Sequence, residues 1–246
     1  LLNIYPEHLD YYRSFNEYVK AKTNITKYQT KKDYLIYNVR DPMVRKIAHK
    51  SKAKKMPIRG KYYELNRAAA KEVAKIFKVP MLKKFVFLPH RLEYVGRFKG
   101  IEFYNDSLST IPETTIEALD FLGDEVQTLI LGGFDRGLSF KKLGKRIVKS
   151  KVKTIILFPT TGQRIWQEVV KANGGKNLPN HFFACPVRNR RFSNGVKGMK
   201  DAVKLAYQHT EKEKICLLSP ASPSFGIFKD YAERGNAFKK FVRMLK

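Results

Sequence analysis

Residues 126–137 read Val126-Gln127-Thr128-Leu129-Ile130-Leu131-Gly132-Gly133-Phe134-Asp135-Arg136-Gly137. An apolar run of strand length stops at two glycines and enters a loop carrying one acid and one base. The pattern after it is helical, Phe140 to Lys149, and then another apolar strand runs from Thr154 to Phe158. A short apolar run followed by a turn, an amphipathic helix and a second apolar run is the signature of a strand–helix–strand unit with parallel strands.

The same texture extends in both directions. Upstream, Leu92–Arg97 and Ile101–Asn105 alternate apolar and polar residues around Lys99-Gly100, which predicts a hairpin, and Glu113–Phe121 predicts a helix. Downstream, Gln163–Lys171 and Val196–Tyr207 predict helices. Phe182–Ala184 and Ile215–Leu218 predict strands, and a last helix runs from about Tyr231 to Leu245. The expectation is an α/β, Rossmann-like, doubly wound domain over residues 89–246 with a mainly parallel sheet. Residues 1–88 read as a second, partial α/β unit. Ser14 to Ile25 predicts a helix opened by a Ser14/Glu17 capping box. Tyr34–Tyr37 predicts a strand, Asp41–Lys50 a helix with Pro42 in its first turn, and Gly60–Phe77 a long helix. Val79–Pro89, with two prolines, reads as the linker.

Composition narrows the class. Over 246 residues, 43% hydrophobic and 13% aromatic content is enough for packed cores and argues against disorder. Two cysteines, Cys185 and Cys216, make neither a disulfide framework nor a thiolate metal cluster and suit a reducing cytosol. Apolar runs are far shorter than a membrane span requires, and no signal peptide is visible. The formal net charge of +27 raises the question of a polyanion partner. Lys and Arg are spread along the chain with no aromatic–basic reading motif, so a lysine-rich solvated surface is favoured and no nucleic-acid partner is expected.

Ligands of an open parallel sheet sit beyond the carboxyl ends of its strands. Four such ends here are rich in small and polar residues: Asn105–Thr110, Gly132–Gly137, Pro159–Gly162 and Ser219–Gly226. Turn chemistry alone accounts for Gly, Pro and Ser at such places, so each loop singly is weak and the four together are the signal. Two helix positions add to it. Lys22 falls on a stripe with Phe15, Tyr18, Val19 and Ile25, where a lysine must snorkel, pair or be modified. Asn66 falls on a stripe with Ala69, Val73 and Phe77, where a buried amide needs a partner. His8, between Glu7 and Asp10, is either a structural histidine or a metal ligand.

In order and spacing these segments resemble the Mur ligase family, and within it the glutamate-adding members. Asn3–Asp10 followed by Glu17–Lys22 is similar to the family's central-domain signature. The resemblance implies His8 as a magnesium ligand and Lys22 as a carbamylated lysine that helps hold the metal, both with catalytic roles. A carbamate needs a neutral amine, which burial favours, and is itself an anion suited to a hard cation. Asn66 matches an asparagine that contacts adenine, although Tyr62-Tyr63 stand where the family has His-Asn. Leu88-Pro89-His90-Arg91 resembles the hinge into the C-terminal domain, which implies Arg91 at the ATP phosphates. Asn105-Asp106-Ser107 implies Asp106 at the ribose. Gly132–Gly137 resembles the Gly-Gly-x-Asp-Lys-Gly loop, with Arg136 in place of the lysine that holds the incoming carboxylate. Ser219–Phe225 and Tyr231–Gly235 resemble the closing signature. Ser224, Phe225 and Tyr231, with Thr110, would then bind the amino acid.

The resemblance implies a monomeric, cytoplasmic enzyme using ATP and Mg2+ to join glutamate to UDP-N-acetylmuramoyl-L-alanine through an acyl phosphate. Residues 1–88 would be the incomplete remainder of the ATP-binding central domain and 89–246 the glutamate-binding domain, with the functional residues of both meeting in a single cleft. Leu108 replaces a lysine typical of D-glutamate-adding members, which leaves the enantiomer open. No Gly-x-x-Gly-Lys-Ser/Thr loop occurs in the chain. A fragment lacking that loop and the UDP-sugar domain is therefore expected, inactive by itself because nothing cradles the β- and γ-phosphates. A folylpolyglutamate synthase-like ligase and a degenerate amino-acid-binding module are the alternatives.

Overall fold

The computed structural model describes residues 1–7, 11–81, 88–174 and 198–246, with the backbone of 181–184. It divides into two compact units, Leu1–Val86 and Phe87–Lys246.

The first unit is built around a small parallel pair, β1 (Tyr34–Asn38) and β2 (Lys54–Ile58). The β2 strand was not expected. Its Lys-Lys-Met-Pro-Ile sequence has no apolar alternation and buries only Ile58, so it is held by its partner and not by its own pattern. Helix α1 spans Phe15–Lys27, with the Ser14 hydroxyl accepting from the Glu17 amide at 3.2 Å. The Glu17 carboxylate reaches back one residue further than expected, to the Arg13 amide at 2.8 Å. Helix α2 (Pro42–Lys50) is capped by Asp41, whose Oδ1 accepts from the Met43 and Val44 amides while Oδ2 accepts from Ile4 N. Helix α3 spans Tyr63–Phe77. Its core is modest: Ile4, Tyr18, Val44 and Ile47 form one cluster, and Leu35, Ala48 and Ala53 another.

The second unit is a six-stranded sheet in the order β3-β4-β8-β5-β6-β7. Strands β3 (Glu93–Phe98) and β4 (Ile101–Asn105) form the expected antiparallel hairpin, with Lys99 and Gly100 both at positive φ, as a tight turn matching strand twist requires. Strands β5 (Val126–Gly132), β6 (Thr154–Phe158), β7 (His181–Ala184) and β8 (Ile215–Leu218) run parallel to β4. Every residue of β5, β6 and β8 is buried, as strands covered by helices on both faces must be. Helices α4 (Pro112–Leu122), α5 (Lys141–Val148), α6 (Gly162–Ala172), α7 (Met199–His209) and α8 (Tyr231–Met244) surround the sheet. One side of the core joins Phe103, Ile130, Ile156 and Phe158 to Met199, Val203, Phe238 and Val242. Among the described residues no helix is long and apolar enough to cross a membrane.

Two expected helix faces are corrected. In α1 the inward residues are Tyr18 and Thr26; Ile25 is 61% exposed, and Lys22 is exposed with its ammonium 5.3 Å from the Tyr18 ring centre. In α3 only Leu65 is buried, whereas Asn66, Val73 and Phe77 are exposed. The periodicity locates a face in each helix, but neither face lies against a broad core.

Candidate active site

Strands β4, β8, β5 and β6 are neighbours and parallel, so their carboxyl ends share one rim, and the four loops leaving them are tied into a single hydrogen-bonded body. Gly132 N donates to Pro220 O at 2.8 Å and Phe134 N to Pro223 O at 2.8 Å, joining the β5 loop to the β8 loop. Thr161 ties in the β6 loop: its hydroxyl lies 2.7 Å from Ser222 Oγ and accepts from Gly133 N at 3.1 Å, and its amide donates to Gly133 O at 3.0 Å. The two glycines are required. Gly132 and Gly133 have φ of +100° and +156°, and a Cβ on either would come within 2.1 Å of a carbonyl oxygen, that of Phe158 or of Pro223.

Asp106 is the anchor of the β4 loop. Its Oδ1 accepts from Leu92 N at 3.0 Å, and Oδ2 accepts from the Ser109 hydroxyl and from Ser219 Oγ at 2.8 Å. The side chain is wholly buried. The ribose contact expected of Asp106 thus falls on a carboxylate already engaged inside the protein; what it visibly does is hold the β4 and β8 loops together. Ser107 Oγ donates to Tyr231 O at 2.8 Å and so fixes the start of α8 to the same body.

Around this body stand the expected ligand-facing residues. Arg136 is half-buried, its guanidinium carbon 5.8 Å from the centre of the exposed Phe225 ring. Phe225 also meets Phe134 edge-on at 6.1 Å. Ser224 is buried beside Phe225, Tyr231 is 41% exposed, and Thr110 and Arg91 are half-buried. The loop bearing Arg136 has its own brace: Asp135 Oδ1 accepts from Gly137 N at 2.8 Å and from Arg164 at 2.5 Å, while Arg164 also donates to Leu138 O at 2.9 Å. Arg136 and Phe134 therefore project from a preorganised loop, and Phe225 meets them from the loop after β8.

A second cluster lies behind Tyr231. His90 meets its ring edge-on at 5.9 Å, and Asn105 Nδ2 donates to His90 Nδ1 at 2.9 Å. The Glu93 carboxylate accepts from His90 N, Asn105 Nδ2 and Lys239 Nζ. Burial, helped by Lys239, holds the His90 imidazole below its ordinary pKa, which keeps it neutral and able to accept. Burial opposes ionisation of Glu93, but the His90 amide and Lys239 outweigh it and hold Glu93 below the usual range. Gly235 is needed here for space, since a Cβ there would lie 2.2 Å from His90 Nδ1.

Arg164, Arg234, Thr161, Ser222 and the His90 cluster were not singled out from the sequence. A signal was present for Arg234, which shares a helical stripe with Phe238 and Val242. His8 lies outside the described residues, as does the middle of the expected hinge. Lys22 and Asn66 belong to the first unit and are exposed. Among the described residues no three His, Cys, Asp or Glu side chains gather as a metal site. Of the donors expected for magnesium, His8 lies outside the described residues and Lys22 is an exposed amine.

A family model for the Mur ligase middle domain matches residues 1–99. The UDP-N-acetylmuramoylalanine–D-glutamate ligase of Fervidobacterium nodosum is 32% identical over 262 residues, covering 100% of this chain and 58% of that protein. The protein of the same name from Caldanaerobacter subterraneus is 30% identical over 284 residues, covering 100% and 60%. Over its whole length the chain is similar to Mur ligases, and its first 99 residues match their middle domain. It spans about 60% of the length of the curated relatives it matches. The Mur ligase fold is also seen in MurF from Acinetobacter baumannii, at a TM-score of 0.61 and 13% identity over 98% of this chain and 59% of that one. E. coli FolC in complex with ADP superposes with a TM-score of 0.60 at 11% identity, over 99% and 61%.

Proposed function

We propose that the chain is the glutamate-adding part of an ATP-dependent amide ligase that extends UDP-N-acetylmuramoyl-L-alanine in the making of peptidoglycan precursors. The observation that carries this reading is the rim of the second unit. There Arg136, Ser224, Phe225 and Tyr231 stand on loops locked to one another, and the whole chain aligns with relatives named for D-glutamate ligation. Residues 1–88 would belong to the ATP-binding domain and 89–246 to the glutamate-binding domain.

In this reading the substrate carboxylate is activated by transfer of the γ-phosphoryl group of ATP. The glutamate amine attacks the acyl carbon, phosphate leaves, and the amide remains. Arg136 would pair with a carboxylate of the incoming glutamate, and its planar fork allows a bidentate grip that a lysine cannot make. Phe225 would wall the site beside it. Asp106, with Ser109 and Ser219, would act by fixing the loops and not by touching nucleotide. Lys22 and His8 remain the proposed magnesium-binding pair, and Asn66 and Arg91 the proposed nucleotide contacts.

The test is a hybrid in which this chain replaces the matching region of the Fervidobacterium ligase. Glutamate-dependent ADP formation is expected, compared for both enantiomers because Leu108 departs from the pattern of D-glutamate enzymes. Arg136→Ala should raise the glutamate KM about tenfold or more, each factor of ten being about 1.4 kcal/mol. A hybrid that turns over another amino acid and ignores glutamate would refute the assignment. The 246 residues by themselves, with no Gly-x-x-Gly-Lys-Ser/Thr loop, are expected to give no turnover.

A further inference from the structure

Helix α8 carries a charge in the interior of the second unit. Arg234 is 1% exposed, on the stripe that also buries Phe238 and Val242. Its guanidinium donates three times, always to neutral oxygens: Nε to Ser107 Oγ at 2.9 Å, one terminal nitrogen to Ser107 O at 2.8 Å and the other to Ser222 O at 3.0 Å. No ion pair among the described residues includes it. Burial alone acts on the group and brings its pKa down to about 9. A buried cation is costly unless a counter-charge answers it.

The location suggests what that counter-charge is. Ser107 and Ser222 belong to the loops after β4 and β8, and Ser107 in turn holds the Tyr231 carbonyl. The terminal nitrogen that bonds Ser222 lies 3.1 Å from where a Cβ of Gly133 would be, so the guanidinium also abuts the loop after β5. A clamp between carbonyl and hydroxyl oxygens needs donors but no charge.

We propose that Arg234 is the positioning residue and built-in counter-charge of the rim: its guanidinium, bonded among the described residues to Ser107 and Ser222, ties two loops together against the third and supplies the positive charge that a bound carboxylate ligand answers. This rests on reading the rim as an amino-acid site. Arg136 would make the direct contact from the half-buried surface, and Arg234 would act from within, where salt screens little.

The test is calorimetric titration of the chain with glutamate, with glutarate and with inorganic phosphate. Arg234→Gln keeps donors without charge and Arg234→Lys keeps charge with fewer donors; thermal melts establish that each folds. The expected result is affinity about tenfold or more weaker in Arg234→Gln, largely restored in Arg234→Lys, and persisting as a difference in high salt. If Arg234→Gln fails to fold, Arg234→Lys decides, its affinity being expected to stay near wild type and to persist in high salt. Unchanged affinity in a folded Arg234→Gln overturns the proposal, as does failure to bind any of the three anions. Binding of phosphate with the same Arg234 dependence, but not of glutamate or glutarate, would leave the counter-charge standing and remove the glutamate reading.

Discussion

Lys22 in α1 and Arg234 in α8 occupy the same kind of place in sequence, a cation on an apolar helical stripe, and have opposite fates. Lys22 is exposed and rests over the Tyr18 ring. Arg234 is buried and donates to two loops. The cause is what each helix packs on. Helix α8 lies on the large sheet, with Phe103 and Val95 among its core companions, whereas α1 meets chiefly α2 and a small cluster around Tyr18 and Val44. Periodicity states which side of a helix turns inward; the depth of that side is set by the partner surface.

The sharpest way to break this comparison is to truncate an apolar residue on each helix. Phe238→Ala should cost the second unit about 3–5 kcal/mol, and Ile25→Ala should change the first by about 0.5 kcal/mol or less; urea unfolding of each variant measures both. Equal losses would mean that α1 is buried as deeply as α8. Next in size is Gly235→Ala, whose methyl collides with His90. A loss of about 1–3 kcal/mol is expected, as for other overpacked sites. Asp41→Ala removes the cap of α2 and should cost about 1 kcal/mol, a first-unit effect set by hydrogen bonds and independent of core depth.

The smallest effect is a pH dependence. His90 has its pKa lowered from the ordinary 6.5 in the folded chain, so the unfolded chain binds more protons just below that value. Stability is then full above about pH 6.5 and declines as pH falls through the window beneath it. In His90→Gln the melting temperature should lose that slope between pH 7 and 5.5; an unaltered slope would show that His90 does not contribute it.

Much of the second unit was legible because fully buried parallel strands read as apolar runs, and each is followed by a loop of small residues. Thr154–Phe158 and Ile215–Leu218 have the expected bounds, and β5 differs by one glycine. The antiparallel β3 at the edge followed from the Lys99-Gly100 turn. The β2 strand was not legible, since Lys54, Lys55 and Pro57 obscure any strand pattern. In the site, loop composition marked the rim, but who bonds to whom depends on contacts distant in sequence, such as Ser107 with Arg234. Asp106 shows the same limit. A motif marks the residue as important, but its burial and its bonds to Leu92, Ser109 and Ser219 are tertiary facts, and they make it an anchor of the loops.

The central claim is that the four loops at the carboxyl ends of β4, β8, β5 and β6 form one site for an acidic amino acid. Amide chemical-shift mapping of the chain titrated with glutamate tests it most directly. The account predicts saturable shifts gathered at Gly133–Gly137, Ser222–Gly226 and Tyr231, and their loss in Arg136→Ala. Shifts scattered over the exposed lysines, or none at the rim at saturating glutamate, would contradict it.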